Sequence, residues 1–285
     1  MRFNLIHVIS AERANHGLHG YREVIETVRW GLEALGHEVG VTTNGMTPEA
    51  VNIVFGFQML HEEHLRALPD DSIIYNLEQV AGAKTGELKP QAALVAERLQ
   101  VWDYNQENLA TWELYRPARR PIYVPIGYAP VLKRIAAKPD PYIDVLFYGY
   151  PSAPRMRTIH EICGHGMHCV FACGLYGEQR DELIGRSKVM LNLNRLNQAG
   201  VFEIVRVSYL LANGKAVVSD LHPGSLMEPD MLEAVAFAPP EKIAETCWGL
   251  VSNESARREL ERRGREIFER RDIRAILSRA LDAGQ

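Results

Sequence analysis

Gly200-Val-Phe-Glu-Ile-Val-Arg-Val-Ser-Tyr-Leu-Leu-Ala-Asn-Gly-Lys-Ala-Val-Val-Ser-Asp220 reads as a helix from about Phe202 to Asn213, a stop at Gly214 and a short strand over Ala216–Ser219. Glycine just past the last periodic residue ends a helix because it takes left-handed angles without a Cβ clash. Phe202, Val205, Tyr209 and Ala212 form one stripe at helical spacing, and Ile204, Val207 and Leu211 another. A helix apolar nearly all round belongs in a core. Glu203 and Arg206 nevertheless lie within it, on one face. Charge on a buried helix is costly unless it is paired or serves a ligand. Two readings stay open: a structural ion pair, or a polar site at a helix N-terminus, where free N–H groups and the dipole favour an anion.

Outward from that stretch, strands and helices alternate along the whole chain. In the first half, strands are expected at Phe3–Ile9, Glu38–Thr42, Val51–Phe55, Ser72–Leu77, Gln100–Tyr104 and Ile122–Val124. Helices are expected at Tyr21–Leu35, His61–Leu68, Gln91–Leu99 and Glu107–Tyr115. In the second half, strands at Asp144–Tyr148, Cys169–Cys173, Val189–Leu193 and Ala236–Ala238 join the one after Gly214. Helices at Arg155–Cys163, Gln179–Gly185, Met227–Ala234 and Glu241–Val251 accompany them, and one long charged helical stretch from Ser255 closes the chain. Short connections between alternating elements imply parallel sheets covered on both faces by helices, with right-handed crossovers.

The 285 residues suit two domains of about 130–150 residues each. Lys133–Pro141, charged and proline-bearing, is the linker-like segment. The expected division is a Rossmann-like domain over residues 1–133 and a second over 134–285. The net charge of −4 points to no nucleic-acid or anionic-membrane partner. No apolar run approaches the roughly 20 residues that span a bilayer, and residue 1 leads straight into a strand-like run. A cytoplasmic protein is the expectation. Cys163, Cys169 and Cys173 lie near His160, His165 and His168, but without metal-ligand spacing; buried reduced thiols are expected instead.

In open α/β sheets ligands bind beyond the carboxyl ends of the strands. Residues just after strands are therefore the candidates. In the second domain these are Gly149, which lets backbone approach a ligand, and Arg155 and Arg157, whose guanidinium groups suit phosphate. Tyr176, in Gly174-Leu-Tyr-Gly177, could flank a nucleobase or simply pack. Asn192 and Asn194 alternate at a strand end, as site residues or as a polar turn. Gly200, Glu203 and Arg206 stand at the helix start. In the first domain, His16, His19, Glu78 and Asp103 are the groups able to remove a proton near neutral pH. A P-loop, a dinucleotide-binding G-x-G-x-x-G after the first strand and a G-x-S-x-G elbow are all absent from the sequence.

Five segments carry a resemblance in the same order: Tyr75-Asn-Leu-Glu-Gln79, Val101-Trp-Asp-Tyr-Asn105, Val124-Pro-Ile-Gly-Tyr128, Asp144-Val-Leu-Phe-Tyr-Gly149 and Phe202–Asp220. Together they resemble nucleotide-sugar glycosyltransferases of the GT-B class, most closely a bacterial group engaged in glycan and glycoconjugate biosynthesis. The resemblance implies two Rossmann-like domains facing a central cleft, with the last helix, about residues 265–285, returning to the first domain. It implies a hexosyltransferase-like activity that moves sugar from a nucleoside diphosphate, UDP above all, to a hydroxyl or other nucleophile of a glycan, protein or small molecule. Glu203 would contact donor sugar or phosphate, Arg155 or Arg157 the leaving diphosphate, and Arg206 would orient Glu203. No cofactor or metal is implied, since guanidinium and helix-dipole charge substitute for one. Two positions depart from the pattern: Tyr209 stands where many members carry a second glutamate, and Asn194 where a histidine is common. A non-catalytic binding module and a sugar-nucleotide epimerase on the same scaffold are the alternatives. Donor sugar, acceptor, stereochemical outcome and oligomeric state are not implied.

Overall fold

The structure is a computed structural model that describes residues 1–9, 20–80, 90–136, 138–195, 202–225 and 227–284. Its residues divide into two units, Met1–Val131 with Arg271–Gln285, and Leu132–Arg270.

The first unit holds a six-stranded sheet, all parallel, built from β1 (Arg2–His7), β2 (Glu38–Thr43), β3 (Val51–Phe55), β4 (Ile73–Asn76), β5 (Gln100–Asp103) and β6 (Ile122–Tyr123). Its order is β2-β1-β3-β4-β5-β6. The central strands are buried along nearly their whole length, as strands covered on both faces must be, whereas edge strand β2 is half exposed. Helices α1 (Arg22–Ala34), α2 (Glu62–Ala67), α3 (Pro90–Arg98) and α4 (Gln106–Glu113) connect them. Val24, Val28 and Leu32 of α1 are buried at helical spacing. Val54, Ile74, Val101 and Trp112 share one core cluster.

The second unit repeats the plan with β7 (Ile143–Tyr148), α5 (Ala153–Gly164), β8 (Cys169–Ala172), α6 (Gly177–Gly185), β9 (Ser187–Asn192), α7 (Ile204–Ala212), β10 (Ala216–Asp220), α8 (Met231–Ala234), β11 (Ala236–Ala238), α9 (Ile243–Ser252) and α10 (Glu254–Glu269). The sheet is parallel, in the order β11-β10-β9-β7-β8. Val145, Phe147, Val189, Leu191 and Val218 form its core with Ile243 and Cys247 of α9. The segment expected as a linker is fastened to this unit. The backbone N–H groups of Arg134 and Ile135 donate to Oδ1 of Asn213 (3.0 and 2.8 Å), and its Nδ2 donates to the carbonyl of Leu132 (2.9 Å).

Three expectations are corrected. The closing stretch is two helices, α10 and α11 (Ile273–Ala283), not one. The chain breaks because Tyr128 N–H donates to the Arg271 carbonyl (2.7 Å) while Ile273 N–H donates to Tyr128 (3.2 Å), an isolated parallel bridge, and Asp272 then caps α11 by accepting from Arg274 N–H. α11 returns to the first unit, where Ile273 and Leu277 lie against Gly31 of α1. The helix expected from Met227 begins only at Met231. The thiols of Cys163 and Cys173 are exposed, and Cys247 alone is fully buried. Among the described residues no helix is long and apolar enough to cross a membrane.

Candidate functional site

In the second unit the chain runs from β7 outward to β8, then crosses back to place β9 on the other side of β7. That reversal opens a crevice at the carboxyl ends of β7 and β9, where α/β sheets bind ligands. Gly149, Arg155, Asn192 and Arg206 come together there, and the side chains order it as follows.

Gly149 ends β7 with φ of +151°, a conformation L side chains rarely adopt. A Cβ there would meet Nη2 of Arg206 and Cζ of Phe147, each at 3.3 Å. Arg206 reaches this place from the first turn of α7. Its guanidinium lies over the rings of Phe147 (5.7 Å) and Tyr148 (6.0 Å), and Nη1 donates to Oδ1 of Asn192 (3.1 Å). Asn192 in turn donates to Oγ of Ser219 on β10 (3.0 Å). Arg206 is therefore held mainly by β9 and two aromatic rings. The pair expected between Arg206 and Glu203 is loose, 3.9 Å. Glu203 sits outside the helix interior as the N-cap of α7, so its charge is not buried on an apolar rod.

Arg155 is placed differently from its expected role. Ser152 accepts from its N–H to cap α5, and Pro154 sits in the first turn. The side chain turns inward and is 3% exposed. Nε and Nη2 donate to the Leu193 carbonyl (2.9 and 2.7 Å), Nη1 to that of Tyr150 (2.8 Å), and the guanidinium covers Phe147. Arg155 thus ties the loop after β7 to the end of β9. Burial lowers its pKa to about 10, with Arg206 as the next cause and Arg195 adding to it, while Glu203 and Asp220 oppose. Arg195, exposed, lies over the Tyr150 ring at 5.4 Å. Arg155 is thus repelled by both Arg206 and Arg195 and attracted by Glu203 and Asp220, so cationic and anionic groups share this crevice.

Arg157 is exposed on α5 and Tyr176 is the half-buried N-cap residue of α6 after β8. Asn194 is held by its backbone, which donates to both oxygens of Asp220 (2.9 and 3.0 Å). Tyr209, at the second-glutamate position, is buried and donates to Asp181 while accepting from Arg134. Gly200 lies outside the described residues. Asp220, His222 and Arg195 were missed; the rule that selected Asn192 and Asn194 after β9 selects Asp220 after β10 equally well.

In the first unit, His16 and His19 lie outside the described residues. Asp103 is fully buried, and its oxygens accept from Asn105 N–H (2.9 Å), Asn108 (3.0 Å), Asn76 (2.7 Å) and Trp112 (2.7 Å). Burial raises its pKa to about 6 against those bonds. A carboxylate sealed by four donors fastens β4, β5 and α4 and has no access to a substrate proton, which corrects its reading as a candidate base. Glu78 remains exposed; it accepts from Tyr21 OH and from Nε2 of Gln58 (3.3 Å).

No protein-family model matches the chain. Two uncharacterized proteins of Acanthamoeba polyphaga mimivirus are each 24% identical to it, over 189 and 201 residues, or 64% and 68% of this chain. Those matches span 60% of the length of one and 22% of the other. Among solved structures, sucrose-phosphate synthase from Thermosynechococcus elongatus superposes with a TM-score of 0.65 at 12% identity, covering 100% of both chains. WaaG, a glycosyltransferase involved in lipopolysaccharide biosynthesis, gives 0.63 at 12% identity and covers 99% of each. The chain has the GT-B fold. HepE from Anabaena, solved in complex with UDP-glucose, shares this GT-B fold with a TM-score of 0.60 and 11% identity, covering 99% of this chain and 100% of that one.

Proposed function

We propose that the chain is a glycosyltransferase that moves a sugar from a nucleoside diphosphate to an acceptor hydroxyl or other nucleophile. The convergence of Arg155, Arg195 and Arg206 on the crevice beside Gly149 carries this reading. Such a site suits a diphosphate, whose charge grows as the sugar leaves. Gly149 leaves room for a phosphate against backbone, Arg206 offers its charge-assisted donors, and buried Arg155 keeps the two loops in place. The GT-B fold and HepE's complex with UDP-glucose support a nucleotide-sugar donor. Of the first-unit candidates for proton removal, Glu78 is the one with an exposed carboxylate among the described residues. Guanidinium charge takes the place of a metal in this reaction, so activity persists in EDTA.

Calorimetry with UDP and GDP on the parent and on Arg206→Ala tests the site. The variant should bind at least about tenfold more weakly, the effect of losing a charge-assisted contact. Equal affinity in parent and variant removes the assignment. Release of free nucleoside diphosphate from a nucleotide sugar distinguishes transfer from epimerisation, in which the diphosphate stays attached.

A further inference from the structure

The amino ends of β7, β9 and β10, at the opposite end of the second unit's sheet from the arginine crevice, frame a cavity of about 430 Å³. Lys215, the residue before β10, lines it with Arg257 and Glu261 of α10. Lys215 and Arg257 are each only 9% exposed. Nζ of Lys215 donates to the Ser187 carbonyl (2.8 Å), which takes one of its three N–H groups. Nη1 of Arg257 donates to the carbonyls of Leu250 and Val251 (3.1 and 3.3 Å) near the end of α9, leaving Nε and Nη2 outside those bonds. Burial holds the Lys215 pKa down, with Glu261 opposing, and holds that of Glu261 up, with Lys215 and Arg257 opposing. The three charges therefore sense one another, yet neither cation lies within 4.0 Å of the Glu261 carboxylate.

Elsewhere around the cavity opposite charges meet directly. Lys188 bonds to Asp144 (2.7 Å), Lys138 to Glu182 (3.1 Å) and Arg258 to Glu254 (2.6 Å). Lys215 and Arg257 are more deeply buried than any of these, and they keep the half-buried Glu261 at a distance. Charges withdrawn from water without a direct partner are costly, and a ligand that carries both signs removes the cost. Its anionic end suits the N–H groups left on Lys215 and Arg257, and its cationic end suits the carboxylate. Pro139, Pro141 and Tyr142 add an apolar wall ahead of β7, and the volume is that of a small-ligand site.

We infer that this cavity is a binding site for a small zwitterion of the α-amino-acid class, its carboxylate on Lys215 and Arg257 and its ammonium on Glu261. A simple anion placed there would face Glu261, and a simple cation would face Lys215 and Arg257. The cavity lies at the end of the sheet away from Gly149 and Arg206, so it is separate from the crevice and does not depend on the glycosyltransferase reading.

A thermal-shift screen of the whole chain against the standard amino acids, followed by calorimetry on each one that raises the melting temperature, tests this. At least one should bind. Its N-acetyl form, which lacks the ammonium, and its amide form, which lacks the carboxylate, should each bind at least about tenfold more weakly. Glu261→Gln and Lys215→Met should weaken binding by a similar factor, with melting curves showing that each variant is folded. Arg206→Ala, at the other end of the sheet, should bind the amino acid as the parent does. The inference is overturned if no amino acid binds, if either blocked form binds as tightly as the free amino acid, if a folded Glu261→Gln or Lys215→Met chain keeps the parent's affinity, or if Arg206→Ala loses it.

Discussion

Nη2 of Arg206 lies 3.3 Å from the point a Cβ on Gly149 would occupy. A methyl group there must push aside the flexible end of Arg206 or the edge of Phe147, and the backbone must hold φ of +151° with a side chain attached. Gly149→Ala should therefore lower stability by roughly 1–3 kcal/mol and move the guanidinium off its place. The expected outcome is a modest fall in melting temperature with a larger loss of UDP or GDP affinity. A variant that loses stability alone would show that Arg206 does not serve the ligand.

Arg155 should behave in the opposite proportion. Its removal orphans the carbonyls of Leu193 and Tyr150 and leaves space against Phe147. Arg155→Met should cost about 2–4 kcal/mol, as other lost buried charge-assisted bonds do. Urea denaturation of the variant measures the cost. Nucleotide affinity recovered at low temperature, where the variant is folded, would confirm a positioning role.

Asp103 carries a pH signature. Burial raises its folded-state pKa to about 6, above the ordinary carboxylate value. Between those values the folded chain holds more protons than the unfolded one, so the stability contributed by Asp103 is full at low pH and falls as pH rises through about 6. All four of its partners are donors, so Asp103→Asn sets an amide N–H against another N–H. The substitution should cost about 2–4 kcal/mol, and more at pH 4.5 than at pH 7. Urea titrations of parent and variant at the two pH values give the comparison.

Gly127 reports on the docking of α11. A Cβ there would lie 2.9 Å from the Arg271 carbonyl and 3.0 Å from Cα of Ile273, both backbone atoms unable to yield cheaply. Gly127→Ala should destabilise the first unit by roughly 1–3 kcal/mol through displacement of α11. Hydrogen exchange should then rise in Ile273–Ala283 and α1 while α10 keeps its protection.

Alternation of short apolar runs with amphipathic segments was enough to show both parallel sheets, because burial of a strand on both faces leaves a local mark. Val51–Phe55 and Ala236–Ala238 are legible to the residue. The break between α10 and α11 was not, since Asp272, a helix-capping residue type in a charged run, is a cap only once Tyr128 pairs with its neighbours. The Asp220–His222 pair was equally hidden: nothing in a two-residue spacing says that Oδ2 of one lies 3.0 Å from Nε2 of the other.

The sequence by itself determined the pattern of strands and helices, the glycine at the end of β7, and the collection of polar residues after the strands, because those follow from period, turn chemistry and the direction of parallel strands. Only the tertiary structure decided their roles. Arg155 and Arg157 are two residues apart, yet one is buried beneath the loops and the other stands on the helix surface. Asp103 closes one strand and Glu78 follows the next one over, yet the first is sealed by four donors and the second exposed. A side chain's chemistry is local, but its access to solvent and the charges around it are set by segments far away in the chain.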